Sequence, residues 1–225
     1  MKNKKQWLIL AFSLCLTSGV FAQEKDWARF NRYAEANKSV KTPSKVVFMG
    51  NSITDGWWPA DSMFFIKNDY IDRGIGGQTT AEMLVRFRAD VIQLKPQAVV
   101  ILAGTNDIAQ NIGYISQENI FGNIVSMAEL AKANNIHVIL CSILPVYDYP
   151  WRKGLEPANK IIQLNGWLKE YAAQNGLSYV DYHSALKDER NGLPEKYARD
   201  GVHPNLEAYK IMEALVQEAL VKVIK

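Results

Sequence analysis

The chain has 225 residues, 48% of them hydrophobic and 22% charged, which is enough apolar material for one domain with a sizeable core. Twenty-six basic and 23 acidic side chains give a formal net charge of +3. The three surplus charges are all in the first five residues, so overall charge makes no case for a nucleic-acid or anionic-membrane partner.

Residues 1–22 begin with Lys2, Lys4 and Lys5, run through an apolar stretch from Trp7 to about Leu16, and end on Ser18-Gly19-Val20-Phe21-Ala22. This is the pattern of a secretory signal peptide. The apolar stretch is shorter than the roughly 20 residues a membrane span takes, so no stable membrane anchor is expected. Leu14 is bulky and argues against lipoprotein processing at Cys15. Without the leader, the chain carries 23 basic and 23 acidic side chains and one cysteine, Cys141. An internal disulfide is excluded, and Cys141 is expected to be a buried, inert thiol. We expect residues 23–225 to form a single domain, periplasmic or secreted, with oligomeric state left open.

In chain order, Asp26 to Val40 predicts a helix whose Trp27, Phe30 and Tyr33 lie on one side and pack onto the body of the domain. Short apolar runs follow at Lys45 to Met49, Ala98 to Leu102, His137 to Ile143 and Ser178 to Tyr182, with a weaker one at Asp69 to Ile75. They do not alternate, as expected of strands buried on both faces. Helical patterns span Thr80 to Gln93, Ser116 to Asn134, Pro157 to Gln174 and Leu206 to Ile224. "QNGLS" and "KANNI" supply the left-handed residues that close helices. Strand alternating with helix predicts a three-layer α/β/α sandwich around a mostly parallel sheet of about five strands.

Four segments are expected just past strand ends: "GNSIT" (Gly50 to Thr54), "GIGGQTT" (Gly74 to Thr80), "GTNDI" (Gly104 to Ile108) and "DGVHPN" (Asp200 to Asn205). The carboxyl ends of parallel strands share one edge, so these segments converge. Together they supply what acyl transfer requires. Ser52 is a hydroxyl nucleophile, His203 is a base within reach of neutral pH, and Asp200, three residues earlier, can orient its imidazole. Backbone N–H groups of Ser52 and the Gly76-Gly77 turn, with the Asn106 amide, are donors for an oxyanion.

These blocks, in this order from Val46 to about Tyr209, resemble the SGNH (GDSL-type) hydrolases. "GIGGQTT" with "GTND" is most similar to the branch of platelet-activating-factor acetylhydrolase-like and lysophospholipase-like esterases. The resemblance implies a flavodoxin-like SGNH fold with Ser52 as nucleophile, His203 as base and Asp200 as orienting acid. Ser52, Gly77 and Asn106 become the oxyanion hole, with Gly76 an alternative to Gly77. The family's Gly-Asp-Ser is Gly-Asn-Ser here. Asn51 keeps an acceptor oxygen but loses a charge.

Other readings are weaker. A dinucleotide-binding glycine loop at Gly74 to Thr79 lacks its third glycine. Asp181 and His183, with Asp200 and His203, have the residue types of a metal site, but His203 cannot both bind a metal and deprotonate Ser52. No metal or cofactor is expected. "VYDYPWR" (Val146 to Arg152) crowds Tyr147, Tyr149 and Trp151 beside the same edge as candidate substrate-binding residues, and Trp57 and Trp58 follow Ser52 closely. The expected activity is that of a secreted serine esterase acting on short acyl, chiefly acetyl, esters of a small molecule or carbohydrate. A lysophospholipase or thioesterase for longer chains, or a non-catalytic carbohydrate-binding module on a hydrolase scaffold, are the alternatives.

Overall fold

A computed structural model describes residues 26–224. The expected signal peptide at residues 1–22 lies outside the described residues. The chain runs α1 (Asn31–Lys38), β1 (Val46–Gly50), three short helices α2 (Ser52–Asp55), α3 (Trp57–Ala60) and α4 (Ser62–Asn68), then β2 (Tyr70–Gly74) and α5 (Thr80–Asp90). It continues with β3 (Ala98–Leu102), α6 (Thr105–Ile108), α7 (Gln117–Ala133), β4 (His137–Cys141), α8 (Pro157–Gln174), β5 (Ser178–Val180), α9 (Tyr182–Leu186) and α10 (Leu206–Leu220).

The five strands form one all-parallel sheet in the order β2-β1-β3-β4-β5. Register aligns Gly50 with both Gly74 and Leu102, so the segments after β1, β2 and β3 leave the sheet at the same level. The chain steps outward from β1 to β2, then crosses back over β1 to β3. The switch point between β1 and β3 opens a crevice at the carboxyl edge, where sheets of this kind place their ligands.

Side chains alternate across each strand, and both faces are covered. Val47, Met49, Val99, Ile101, Val138 and Leu140 pack with Met83 and Phe87 of α5, Ile124 of α7 and Leu168 of α8. Val46, Phe48, Val100, Leu102, Ile139 and Cys141 pack with Trp57, Phe65, Tyr209, Met212 and Val216. Burial on both faces explains the unbroken apolar runs. Helix ends follow local chemistry: Thr79 and Glu82 form a capping box at α5, Pro157 opens α8, and Asn135 and Gly176 take the positive φ expected after α7 and α8.

Two expectations need correction. Trp27 and Phe30 do not pack into the body of the domain; they remain 55% and 43% exposed, and only Tyr33 is partly covered. The segment Asp200 to Asn205, expected just past a strand end, instead lies in the loop between α9 and α10, and after Ser52 the chain coils into α2, α3 and α4, because Trp57, Phe64 and Phe65 are drawn onto the ring of Phe48. Each such aromatic burial is worth roughly 1.5–3 kcal/mol, enough to override weak local helix propensity.

Candidate active site

The end of β1 places Ser52 at the first position of α2. Asn51 precedes it, and its side-chain oxygen accepts the Ile53 N–H at 3.1 Å. Asn51 thus performs the acceptor role expected of it without a charge. Ser52 Oγ lies 3.0 Å from His203 Nε2, and His203 Nδ1 lies 2.6 Å from Asp200 Oδ2. The other Asp200 oxygen accepts the backbone N–H groups of Val202 and His203 at 2.9 and 2.8 Å, which fixes the carboxylate beneath the ring. Burial works to raise the Asp200 pKa, but these bonds and the His203 side chain outweigh it and hold the group below the usual carboxylate value. The side chains stand at an open edge: His203 is 44% and Asp200 41% exposed.

The turn after β2 brings backbone N–H groups over Ser52. Its polar groups are taken one after another. Gly74 N–H donates to Asp72, Ile75 N–H to the Gly50 carbonyl, Gly76 N–H to Asp55 and Gln78 N–H to the Ile75 carbonyl. The carbonyls of Gly74, Gly76, Gly77 and Gln78 accept from Tyr33, Arg29, Asn111 and Asn106. Among the described residues, the Gly77 N–H meets no acceptor. The Ser52 N–H, at the first turn of α2, is likewise without one. Gly77 has φ of +83°, a conformation that disfavours a side chain. Because Asp55 occupies the Gly76 N–H, Gly77 fits the oxyanion role better than its neighbour.

Asn106 enters from α6, on the far side of the switch point. Its amide spends one hydrogen on the Gln78 carbonyl at 2.9 Å and retains a second. Asp107 holds α6 against the start of α5, accepting the Thr80 N–H and hydroxyl, and burial raises its carboxyl to about 6 in spite of those bonds. Buried Arg86 donates to the carbonyls of Gly50 and Arg73 and to Gln78, tying the ends of β1 and β2 to the turn. No motif in the sequence marks Asp55, Asp107 or Arg86 for these roles. Only Arg86 leaves a trace there, an Arg-Asp pair four apart on an otherwise apolar helix face.

The aromatic candidates separate. Tyr147 and Trp151 are 54% and 46% exposed, and the Trp151 ring lies 6.1 Å from that of His203. Tyr149 is fully buried, with its hydroxyl bonded to the Thr105 side chain and carbonyl, so it has no face to offer a substrate. Trp57 is buried too, stacked between Phe64 and Tyr209 and donating to Glu213. Asp181 caps α9 through Ser184, and His183 is buried beside it, as loop-positioning residues would be. Among the described residues, no three metal-ligating side chains form a group that could hold a metal ion. A cavity of about 550 Å³ lies behind Asp55, lined by Tyr33, Val40, Trp58 and Ile71 among others, and its lining includes neither Ser52 nor His203.

A doubly wound parallel sheet with hydroxyl, imidazole and carboxylate linked in series at its switch point is the architecture of a serine hydrolase. The chain belongs to the GDSL-like lipase/acylhydrolase family, whose model matches residues 48–211. It is similar to a solved protein of Bacteroides fragilis NCTC 9343 assigned as an acylhydrolase, with 50% identity, TM-score 0.86 and coverage of 88% of this chain and 99% of that one. Lipoprotein YqeF of Bacillus subtilis (strain 168) is 34% identical over 36% of this chain and 34% of its own length. An acetylxylan esterase of Xylanibacter ruminicola is 25% identical over 81% of this chain and 45% of its own length. The chain therefore spans less than half the length of these curated relatives. Membership places it among the acylhydrolases by family.

Proposed function

We propose that the chain is an exported serine esterase that removes short acyl groups, chiefly acetyl, from carbohydrate esters through an acyl-Ser52 intermediate. The observation that carries this reading is the bonded series Asp200–His203–Ser52 facing two unoccupied backbone N–H groups and the Asn106 amide. His203 Nε2 takes the Ser52 proton as Oγ bonds to the acyl carbon. The oxygen's new charge is received by the N–H groups of Ser52 and Gly77 and by Asn106. His203 then returns the proton to the departing alkoxide, and water repeats the sequence on the ester of Ser52.

Three features support the finer reading. The open edge at His203 admits a bulky alcohol. The exposed face of Trp151 beside His203 suits stacking on a sugar ring. The acetylxylan esterase relative acts on esters of that kind, as its name states. Export is supported by the pattern of residues 1–22 and by the lipoprotein relative; among the described residues no helix is long and apolar enough to cross a membrane. The test is a hydrolysis panel of p-nitrophenyl esters from acetate to palmitate beside acetylated xylo-oligosaccharide and lysophospholipid. The expected result is acetate preferred among the p-nitrophenyl esters and release of acetate from the oligosaccharide. Best activity on palmitoyl esters or lysophospholipid would contradict it.

A further inference from the structure

We infer that Asp55 is a positioning residue that sets the oxyanion turn against the nucleophile, an inference that rests on the esterase reading above. Asp55 ends the same four-residue helix that begins with Ser52, so its carboxylate is carried by the element that carries the nucleophile. Its Oδ2 accepts the Gly76 N–H at 3.1 Å. The contact is close throughout. A Cβ added to Gly74 would meet the Asp55 backbone nitrogen at 2.0 Å, and one added to Gly76 would lie 3.4 Å from Asp55 Oδ2 and 3.9 Å from Ser52 Cβ. The turn is thus pressed onto α2 with no side chain between.

The consequence is geometric. Two adjacent glycines have a wide choice of backbone conformations, and either N–H could face the reacting carbonyl. By fixing the Gly76 N–H toward α2, Asp55 commits the next peptide to present the Gly77 N–H. Arg29 holds that same peptide from the other side, through the Gly76 carbonyl at 3.4 Å, and Asn111 holds the peptide after it, through the Gly77 carbonyl at 3.3 Å. The other Asp55 oxygen meets Arg32 of α1 at 3.2 Å, in a pair whose side chains are 52% and 34% exposed. Such an exposed pair contributes little on its own. The bond to Gly76 is therefore the one that matters, and it requires an acceptor oxygen rather than a charge.

The test compares Asp55→Ala with Asp55→Asn, which keeps an oxygen for Gly76 but gives up the charge toward Arg32. On p-nitrophenyl acetate, Asp55→Ala should lower kcat by roughly 10- to 100-fold with KM within about twofold, because misplacing a transition-state donor costs rate rather than ground-state binding. Asp55→Asn should stay within about threefold of the parent. A second measurement is independent of turnover: amide hydrogen exchange at Gly76 should accelerate at least tenfold in Asp55→Ala and not in Asp55→Asn. Equal losses in both variants would show that charge, not the acceptor, is needed and would overturn the inference. Unchanged exchange at Gly76 in Asp55→Ala would overturn it as well. An inactive parent with the expected exchange pattern would count against the esterase reading while leaving the positioning geometry standing.

Discussion

Replacing Asn106 with alanine separates two effects that the proposed mechanism gives to one side chain. One amide hydrogen holds the Gln78 carbonyl at 2.9 Å within a site where Asn106 is only 2% exposed. Its loss leaves that carbonyl unpaired, at a cost of about 1–3 kcal/mol in stability. For a domain of this size, each kcal/mol corresponds to a fall in Tm of roughly 2–4 °C. In the proposed mechanism the other hydrogen faces charge that exists only in the transition state. Removing such a donor lowers kcat by about 10²–10³, or about 2.7–4 kcal/mol, while KM changes little. The assay is therefore a thermal melt followed by steady-state kinetics on p-nitrophenyl acetate well below the variant's Tm. A lowered Tm with unchanged kcat would mean that Asn106 only supports the turn, and a change confined to KM would mean that it binds the ground state. Either result would refute its place in the oxyanion hole.

Two further predictions concern regions outside the triad. Burial raises the Asp72 carboxyl from the ordinary carboxylate range to about 7, so the folded state holds a proton that the unfolded state has lost, and stability should fall as pH climbs from about 4 to 7. Asp72→Asn, which keeps an oxygen for the Gly74 N–H, should flatten that fall by at most about 4 kcal/mol, from three pKa units at about 1.4 kcal/mol each; denaturant titrations at pH 5 and pH 8 should show the parent losing more stability than the variant, and equal losses would contradict the assignment. Trp151→Ala should raise KM for acetylated xylo-oligosaccharide roughly fivefold, from the loss of about 1 kcal/mol of ring stacking, yet change p-nitrophenyl acetate hydrolysis less than about threefold, because Asn111 keeps its bond to Gly77. Equal losses on both substrates would place Trp151 in support of the turn instead of the alcohol site.

Much of this architecture is legible in the chain because strands buried on both faces leave continuous apolar runs. Ala98–Leu102 and Pro157–Gln174 coincide with β3 and α8, and the remaining strands shift by one or two residues at their ends. The site residues are legible for a related reason: segments after parallel strands must meet at one edge, so Ser52, Gly77 and Asn106 are brought together by topology. What escaped is what depends on side-chain direction. Tyr149 and Trp151 are two residues apart in one loop, yet one is sealed against Thr105 and the other stands beside His203. Nothing in "VYDYPWR" distinguishes them. Trp57 is hidden for the same reason, since its burial depends on Phe48, Phe64 and Tyr209 from three other elements. Asp55 could be found only once β2 was seen to end against α2.

The central claim is that Ser52 forms a covalent intermediate with the acyl group. Incubation with a fluorophosphonate, followed by proteolysis and mass spectrometry, tests it directly, because the reagent reports the hydroxyl that a neighbouring base activates. The account predicts one phosphonyl group per chain, located on Ser52, with esterase activity lost in proportion to labelling. A Ser52→Ala protein that is folded, unlabelled and active at the parent's rate, or a label borne by another residue, would contradict it.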